Sequence, residues 1–106
     1  VNSATVIVIP NSSLKGEAVT WLRAELSKLE SPGGKLVLDM SKVEEVESEG
    51  AGAILEAARS MRSSGGILRL CGLNKEVAGF LELLQVNRAV EVYTSQSDAI
   101  RARSKF

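Results

Sequence analysis

Lys35-Leu-Val-Leu-Asp-Met-Ser-Lys-Val-Glu-Glu-Val-Glu-Ser-Glu-Gly-Ala-Gly-Ala-Ile-Leu55 is the stretch that decides the fold. Lys35 to Met40 is a short apolar run of the kind that forms a buried strand. Ser41 to Glu47 is a link carrying most of an acidic cluster, Glu44, Glu45, Glu47 and, just beyond it, Glu49. A helix then runs from about Glu49 to Ser63, with Ile54, Ala57, Ala58 and Met61 as its inner face. The stretch is therefore a strand leading through a short connection into a helix.

The same unit recurs on both sides. Upstream, Thr5-Val6-Ile7-Val8-Ile9 is a β-branched run closed by Pro10, as expected of a strand buried on both faces. The turn cluster Asn11-Ser12-Ser13 follows. A helix is predicted from about Gly16 to Leu29, with Ala18, Val19, Leu22, Leu26 and Leu29 inward and Trp21 across the rim of the core. Ser31-Pro32-Gly33-Gly34 stops it.

Downstream, Ile67 to Cys71 is the third strand, and Cys71 within it reads as a small core residue. Asn74 is a good cap for a third helix running to about Gln85, with Val77, Phe80, Leu81 and Leu84 inward. Gly79 inside that helix costs about 1 kcal/mol against Ala, which predicts a close approach of helix to sheet. Leu83 falls off the inner face, as a single exposed leucine or as part of an apolar patch for a partner. Val90 to Tyr93 is a short alternating strand placed near a sheet edge. A last helix begins after Ser95 or Ser97 and runs into the basic segment Arg101 to Lys105.

Strand and helix thus alternate four times over. The expectation is one α/β domain over residues 1–106, with four largely parallel strands and four helices joined by right-handed crossovers. In such a sheet, functional groups gather where strands end and helices begin, and Glu47-Ser48-Glu49-Gly50-Ala51-Gly52 is one such junction.

Composition narrows the function. The 106 residues carry 44% hydrophobic and 25% charged side chains, the balance of a folded soluble protein. Net charge is zero, yet residues 1–58 hold 5 Lys/Arg against 9 Asp/Glu, and residues 59–106 hold 8 against 4. A neutral total argues against a dedicated nucleic-acid binder. One cysteine and no histidine exclude an internal disulfide, His-based triads and thiolate or imidazole metal sites, and fit a reducing cytoplasm. No apolar run is long enough for a membrane span and no signal-peptide pattern opens the chain. Val1 in place of Met points to residues upstream.

At the junction, chemistry leaves two roles open for Ser48. A serine there can cap the helix, a contribution of about 1 kcal/mol. It can also accept a phosphate, since helix N-termini favour anions. The flanking glutamates would then face a further charge of about −1.5 to −2, tolerable at a helix end but able to expel a partner. Gly50-Ala51-Gly52 lacks the third glycine of a dinucleotide loop, because Leu55 holds that position. The paired carboxylates Glu44/Glu45 and Glu47/Glu49 have no nucleophile, base or metal frame beside them.

Residues 36–55 resemble the central segment of the STAS family, the anti-sigma-factor antagonists. There an apolar strand and short link lead to Asp-Ser-Ser/Thr-Gly-Leu-Gly at the start of a helix. The resemblance continues through Ser64 to Leu73, Val77 to Leu84 and Val90 to Ile100, nearly the whole chain. It implies a non-enzymatic partner-switching protein without cofactor. Such a protein binds a kinase-type anti-sigma factor, is released by phosphorylation, and is reset by a PP2C-type phosphatase.

Carried over by position, the phosphoacceptor is Ser48, and the partner-binding segment is Glu47, Ser48, Glu49, Gly50, Ala51 and Gly52. Glu47 stands for the family's Asp, Glu49 for its second Ser/Thr and Ala51 for its Leu. The family's Gly-x-Leu-Asp segment becomes Ser12-Ser13-Leu14-Lys15, a charge reversal near the expected partner face. The family's first, antiparallel strand has no room before Ala4; it is either trimmed or dispensed with. The alternative role is a non-phosphorylated STAS adaptor or scaffold in a signalling or transport complex, with Ser48 as a cap only.

Overall fold

The computed structural model describes residues 4–29 and 34–102. The apolar runs form four parallel strands: β1 (Ala4–Val8), β3 (Lys35–Asp39), β5 (Ile67–Cys71) and β6 (Glu91–Tyr93). They lie side by side in chain order, with β6 at one edge as its alternating pattern predicts. Two further strands of two residues each, β2 (Ser13–Leu14) and β4 (Glu45–Val46), pair in parallel as a separate ribbon. The helices are α1 (Glu17–Ser27), α2 (Ser48–Ser63), α3 (Lys75–Leu83) and α4 (Gln96–Arg101), with a 3-10 turn at Val86–Arg88.

Sequential strand order has a consequence for layering. Right-handed crossovers between strands added in one direction all fall on the same face. Ile7, Leu36, Leu38, Leu68 and Leu70 point to that face and pack in one core with Ala18, Val19 and Leu22 of α1, Ala53, Ile54 and Ala58 of α2, and Val77 and Leu81 of α3. The alternate residues face the other way, where Val37 and Cys71 form a smaller cluster with Ala99 of α4, flanked by Val6, Tyr93 and Ile100. Trp21 lies partly buried at the rim of the main core.

Several local expectations are corrected. The α2 N-cap is Glu47, in extended conformation, and Ser48 is the first helical residue rather than the cap. Asn74 and Ser95 do cap their helices, accepting from the Val77 N–H at 2.7 Å and the Asp98 N–H at 3.1 Å. Helix α3 ends at Leu83 because Gln85 takes a left-handed turn (φ 61°), which leaves Leu84 41% exposed rather than inward. Gly79 faces open space, with nothing within 4 Å of where a Cβ would stand, so packing against the sheet is not its reason. The predicted stop at residues 31–33 and the basic segment beyond Ala102 lie outside the described residues.

One buried charge belongs to the α4 side of the sheet. Val6, Val37, Arg69 and Glu91 stand in one row across the four strands, and Val8, Asp39, Cys71 and Tyr93 in the next. Arg69 is fully buried. Its Nε donates to Glu91 Oε1 at 2.8 Å, and its Nη1 to the Ala99 and Ala102 carbonyls at 2.8 and 2.7 Å. The guanidinium therefore ties the end of α4 to the sheet, where helical carbonyls lack partners. Tyr93 completes the group by donating to Glu91 Oε1 at 2.8 Å.

Candidate functional site

The junction between β4 and α2 is an exposed lip. The Glu47 carbonyl accepts from the Gly50 and Ala51 N–H groups at 2.9 and 3.0 Å, which starts the helix through the backbone. Ser48 follows on the first turn, exposed, and its hydroxyl holds no hydrogen bond among the described residues. The two donors a helix start leaves free there, the Ser48 and Glu49 N–H groups, are those that favour an anion.

What lies beneath the lip explains its glycine. At Gly50 a Cβ would stand 2.6 Å from the Leu14 carbonyl oxygen and 2.8 Å from Leu14 Cγ, so the β2 backbone passes where a side chain would be. The Leu14 carbonyl accepts from the Glu47 N–H at 3.2 Å. Gly50 and Ala51 are buried. They shape the lip from below, while Glu47, Ser48 and Glu49 present its surface. Gly52 is half-buried with open space around it.

The glutamates are engaged from a distance in sequence that local reading could not span. Ser13 donates to Glu45 Oε1 at 2.8 Å, and the Gly16 N–H donates to Glu49 Oε1 at 2.6 Å. Lys15 Nζ lies 3.8 Å from Glu45 and 3.7 Å from Glu47. Gly16 reaches Glu49 with φ 53° and ψ −123°, a conformation that only glycine adopts without strain. Lys15, whose charge looks reversed against the family's pattern, is thus the counter-charge to the glutamates. The departures at 15, 47 and 49 thus lie together, with Glu45 joined to them through Lys15. Each ion pair is exposed, so their worth is about 0–1 kcal/mol apiece; their effect is on the local field and on the position of the β2 segment.

Phe80 of α3 was placed by the sequence in the core. It is partly buried there, and it also lines a shallow surface depression with Val46, Glu47, Ser48 and Glu49. A helix remote in sequence thereby joins the lip.

Titratable groups elsewhere have structural explanations. Burial pushes the Asp39 carboxyl up. The bonds it accepts from Ser41 and from Gln96 Nε2, the latter at 2.7 Å, outweigh that, and with Lys42 nearby they bring it below the ordinary carboxylate range. Burial, with Asp39 nearby, pushes the Cys71 thiol up to about 11, consistent with an inert core cysteine. Burial also raises Tyr93, reinforced by its bond to Glu91. Among the described residues, no group of three or more His, Cys, Asp or Glu could hold a metal ion. No described helix is long and apolar enough to cross a membrane.

Comparison with known proteins agrees with the resemblance read from residues 36–55. A Thermotoga maritima protein whose name proposes an anti-sigma factor antagonist is 32% identical over 99 residues, covering 90% of this chain and 86% of its own. The structure of the anti-sigma factor antagonist SpoIIAA in its unphosphorylated form superposes with a TM-score of 0.73 at 16% identity, over 99% of this chain and 94% of that one. The murine anion transporter Slc26a9 contains the same fold, with a TM-score of 0.80 at 19% identity over 94% of this chain and 17% of the transporter. The sequence model for the STAS domain matches residues 1–99. With that match spanning the parallel sheet and the β4–α2 lip alike, the chain belongs to the STAS domain family.

Proposed function

We propose that this chain is a non-enzymatic anti-sigma-factor antagonist of the cytoplasm. It binds a kinase-type anti-sigma factor through the lip at Glu47 to Gly52 and is released by phosphorylation of Ser48. A PP2C-type phosphatase then restores it. The observation that carries the reading is Ser48 itself, whose exposed hydroxyl, free of hydrogen bonds within the described chain, stands on the first turn of α2. A cap would hold that hydroxyl against the helix backbone; here it is open to a kinase.

The energetics are sufficient. A phosphate adds about −1.5 to −2 charges between Glu47 and Glu49. A hundredfold loss of partner affinity requires about 2.7 kcal/mol, within reach of a phosphate facing a desolvated, acid-tolerant contact. The helix N-terminus meanwhile lets the domain itself bear the charge.

The rival reading is an unphosphorylated STAS adaptor. It draws support from the glutamates on both sides of Ser48, which crowd a phosphate, and from the use of this fold inside a transporter. The test incubates the chain with purified kinase-type anti-sigma factors and ATP, and maps phosphate by mass spectrometry. Phosphate on Ser48 with loss of binding, abolished in Ser48→Ala, is the expected result. Stable binding with no modification under any condition would establish the adaptor.

A further inference from the structure

The two faces of the sheet are held in different ways. On one, α1, α2 and α3 lay apolar stripes against the main core. On the other, among the described residues, lies α4, a helix of six residues. Its buried residue is Ala99, which meets Val37 and Cys71, with Ile100 partly buried beside them. A helix this short does not stand alone, so its docking decides whether it forms. Much of that docking is polar. Arg69 Nη1 donates to the Ala99 and Ala102 carbonyls, Lys35 Nζ to the Ile100 carbonyl at 3.3 Å, and Gln96 Nε2 to Asp39 Oδ2. Water takes over such groups when a helix end comes free, so the net worth of each bond is modest. Arg69 also bears a cost in the docked arrangement. It is fully buried, its Nη2 has no hydrogen-bond partner among the described residues, and its guanidinium lies 5.4 Å from the centroid of the Tyr93 ring. A buried donor left unmade carries its whole desolvation penalty, and water reaching the guanidinium relieves it.

We infer that α4 is a strap that lifts from the sheet as a unit while the main core stays folded. Elements held by few apolar contacts open locally, at less than the global free energy of unfolding. The core side has no need to move, because Val37, Arg69 and Cys71 point away from Leu36, Leu38, Leu68 and Leu70 of the same two strands. The bond from Arg69 Nε to Glu91 lies between neighbouring strands and survives the opening, while Nη1 exchanges its two carbonyls for water and Nη2 gains water it lacked. Lifting uncovers Val37, Arg69 and Cys71 together. Under the docked strap the Cys71 thiol is buried and pushed up to about 11; beneath a lifted one it has the reactivity of an ordinary thiol. Cys71 is the chain's single cysteine, so its modification reports this motion.

The test labels Cys71 of the whole chain with N-ethylmaleimide at neutral pH along a urea series, with the product counted by mass spectrometry. Global unfolding is followed in parallel by Trp21 fluorescence. The native chain is expected to label at a rate that rises with urea far less steeply than the unfolding constant, because lifting α4 exposes little surface. Ser95→Ala removes the cap that accepts from the Asp98 N–H and should speed labelling without urea about fivefold. Gln96→Ala, which gives up the bond to Asp39, should speed it as well. Val77→Ala cuts into the main core instead; it should lower the urea midpoint and leave native-state labelling unchanged. Labelling that tracks global unfolding at every urea concentration would overturn the strap, as would Val77→Ala speeding it as much as Ser95→Ala. A parent-like rate in both Ser95→Ala and Gln96→Ala would overturn it too, since the thiol would then be reached without α4 moving.

Discussion

Replacing Arg69 by alanine should be the most damaging single change in the sheet. The side chain is fully buried and its ion partner Glu91 is only 8% exposed. Removing the guanidinium takes from the Glu91 carboxylate its Nε donor at 2.8 Å, while the Tyr93 hydroxyl at 2.8 Å stays. Breaking a buried pair in this way costs about 3–5 kcal/mol. The Ala99 and Ala102 carbonyls lose their donor too, although water at the end of α4 can replace part of that. Against a total of about 5–15 kcal/mol for a domain of this class, the loss would lower the melting temperature by more than about 12 °C. Urea unfolding followed by Trp21 fluorescence measures it, since that is the chain's single tryptophan and it packs at the rim of the main core. The double variant Arg69→Met/Glu91→Leu separates charge from packing. It removes both ions, and the Arg69 Nη2 that has no hydrogen-bond partner among the described residues, so it should recover most of the loss. An Arg69→Ala variant within 1 kcal/mol of the parent would refute the reasoning, as would a double variant less stable than the single one.

Three further outcomes follow from the lip and the α4 face. Gly50→Ala should destabilise by about 1–2 kcal/mol, because overpacking against the Leu14 backbone outweighs the gain in helix propensity; thermal melts check it, and a rise in midpoint would contradict the close approach. Lys15→Glu should change stability by less than about 1 kcal/mol, the pairs being exposed. It should also slow phosphorylation of Ser48 by its kinase, since it removes the counter-charge from the lip; unchanged initial rates would sever Lys15 from the site. The folded state raises the thiol of Cys71 from 9.0 to about 11 and raises Tyr93 as well. Their contribution is therefore complete below the unfolded values and is lost as pH climbs through the folded ones. Stability should fall by roughly 2–3 kcal/mol across the Cys71 window, and Cys71→Ala should flatten that part of an alkaline urea series.

The features that sequence determined by itself are those whose signals are local. Alternating apolar runs and helical stripes specify four strands and four helices. Parallel strands joined by short helical crossovers leave few ways to assemble them, so the parallel sheet and a strand-to-helix junction at Glu47 to Gly52 could be read before any coordinates, whereas the strand β4 within the link could not. The cap at Asn74 is legible for the same reason, since a cap acts within three residues, while the start of the last helix is narrowed by sequence only to Ser95 or Ser97. Ser48 could be singled out, but not its role as first helical residue, because Glu47 can cap equally through its carbonyl.

Tertiary structure alone decided which distant segments meet. Lys15 pairs with, and the Gly16 N–H donates to, glutamates about thirty residues away because the β2–β4 ribbon brings the loops together, and no period of 2 or 3.6 encodes that pairing. Arg69 sits in a run that reads as a buried strand, and its burial depends on Glu91, 22 residues later on the neighbouring strand β6, and on the carbonyls at the end of α4. A hint existed in sequence: opposite charges within two consecutive predicted strands are a cross-strand pair in waiting. Gly79 is the reverse case. The helix pattern suggested an inward approach, whereas the rotation of α3 on the sheet turns that position to solvent, beside Leu83.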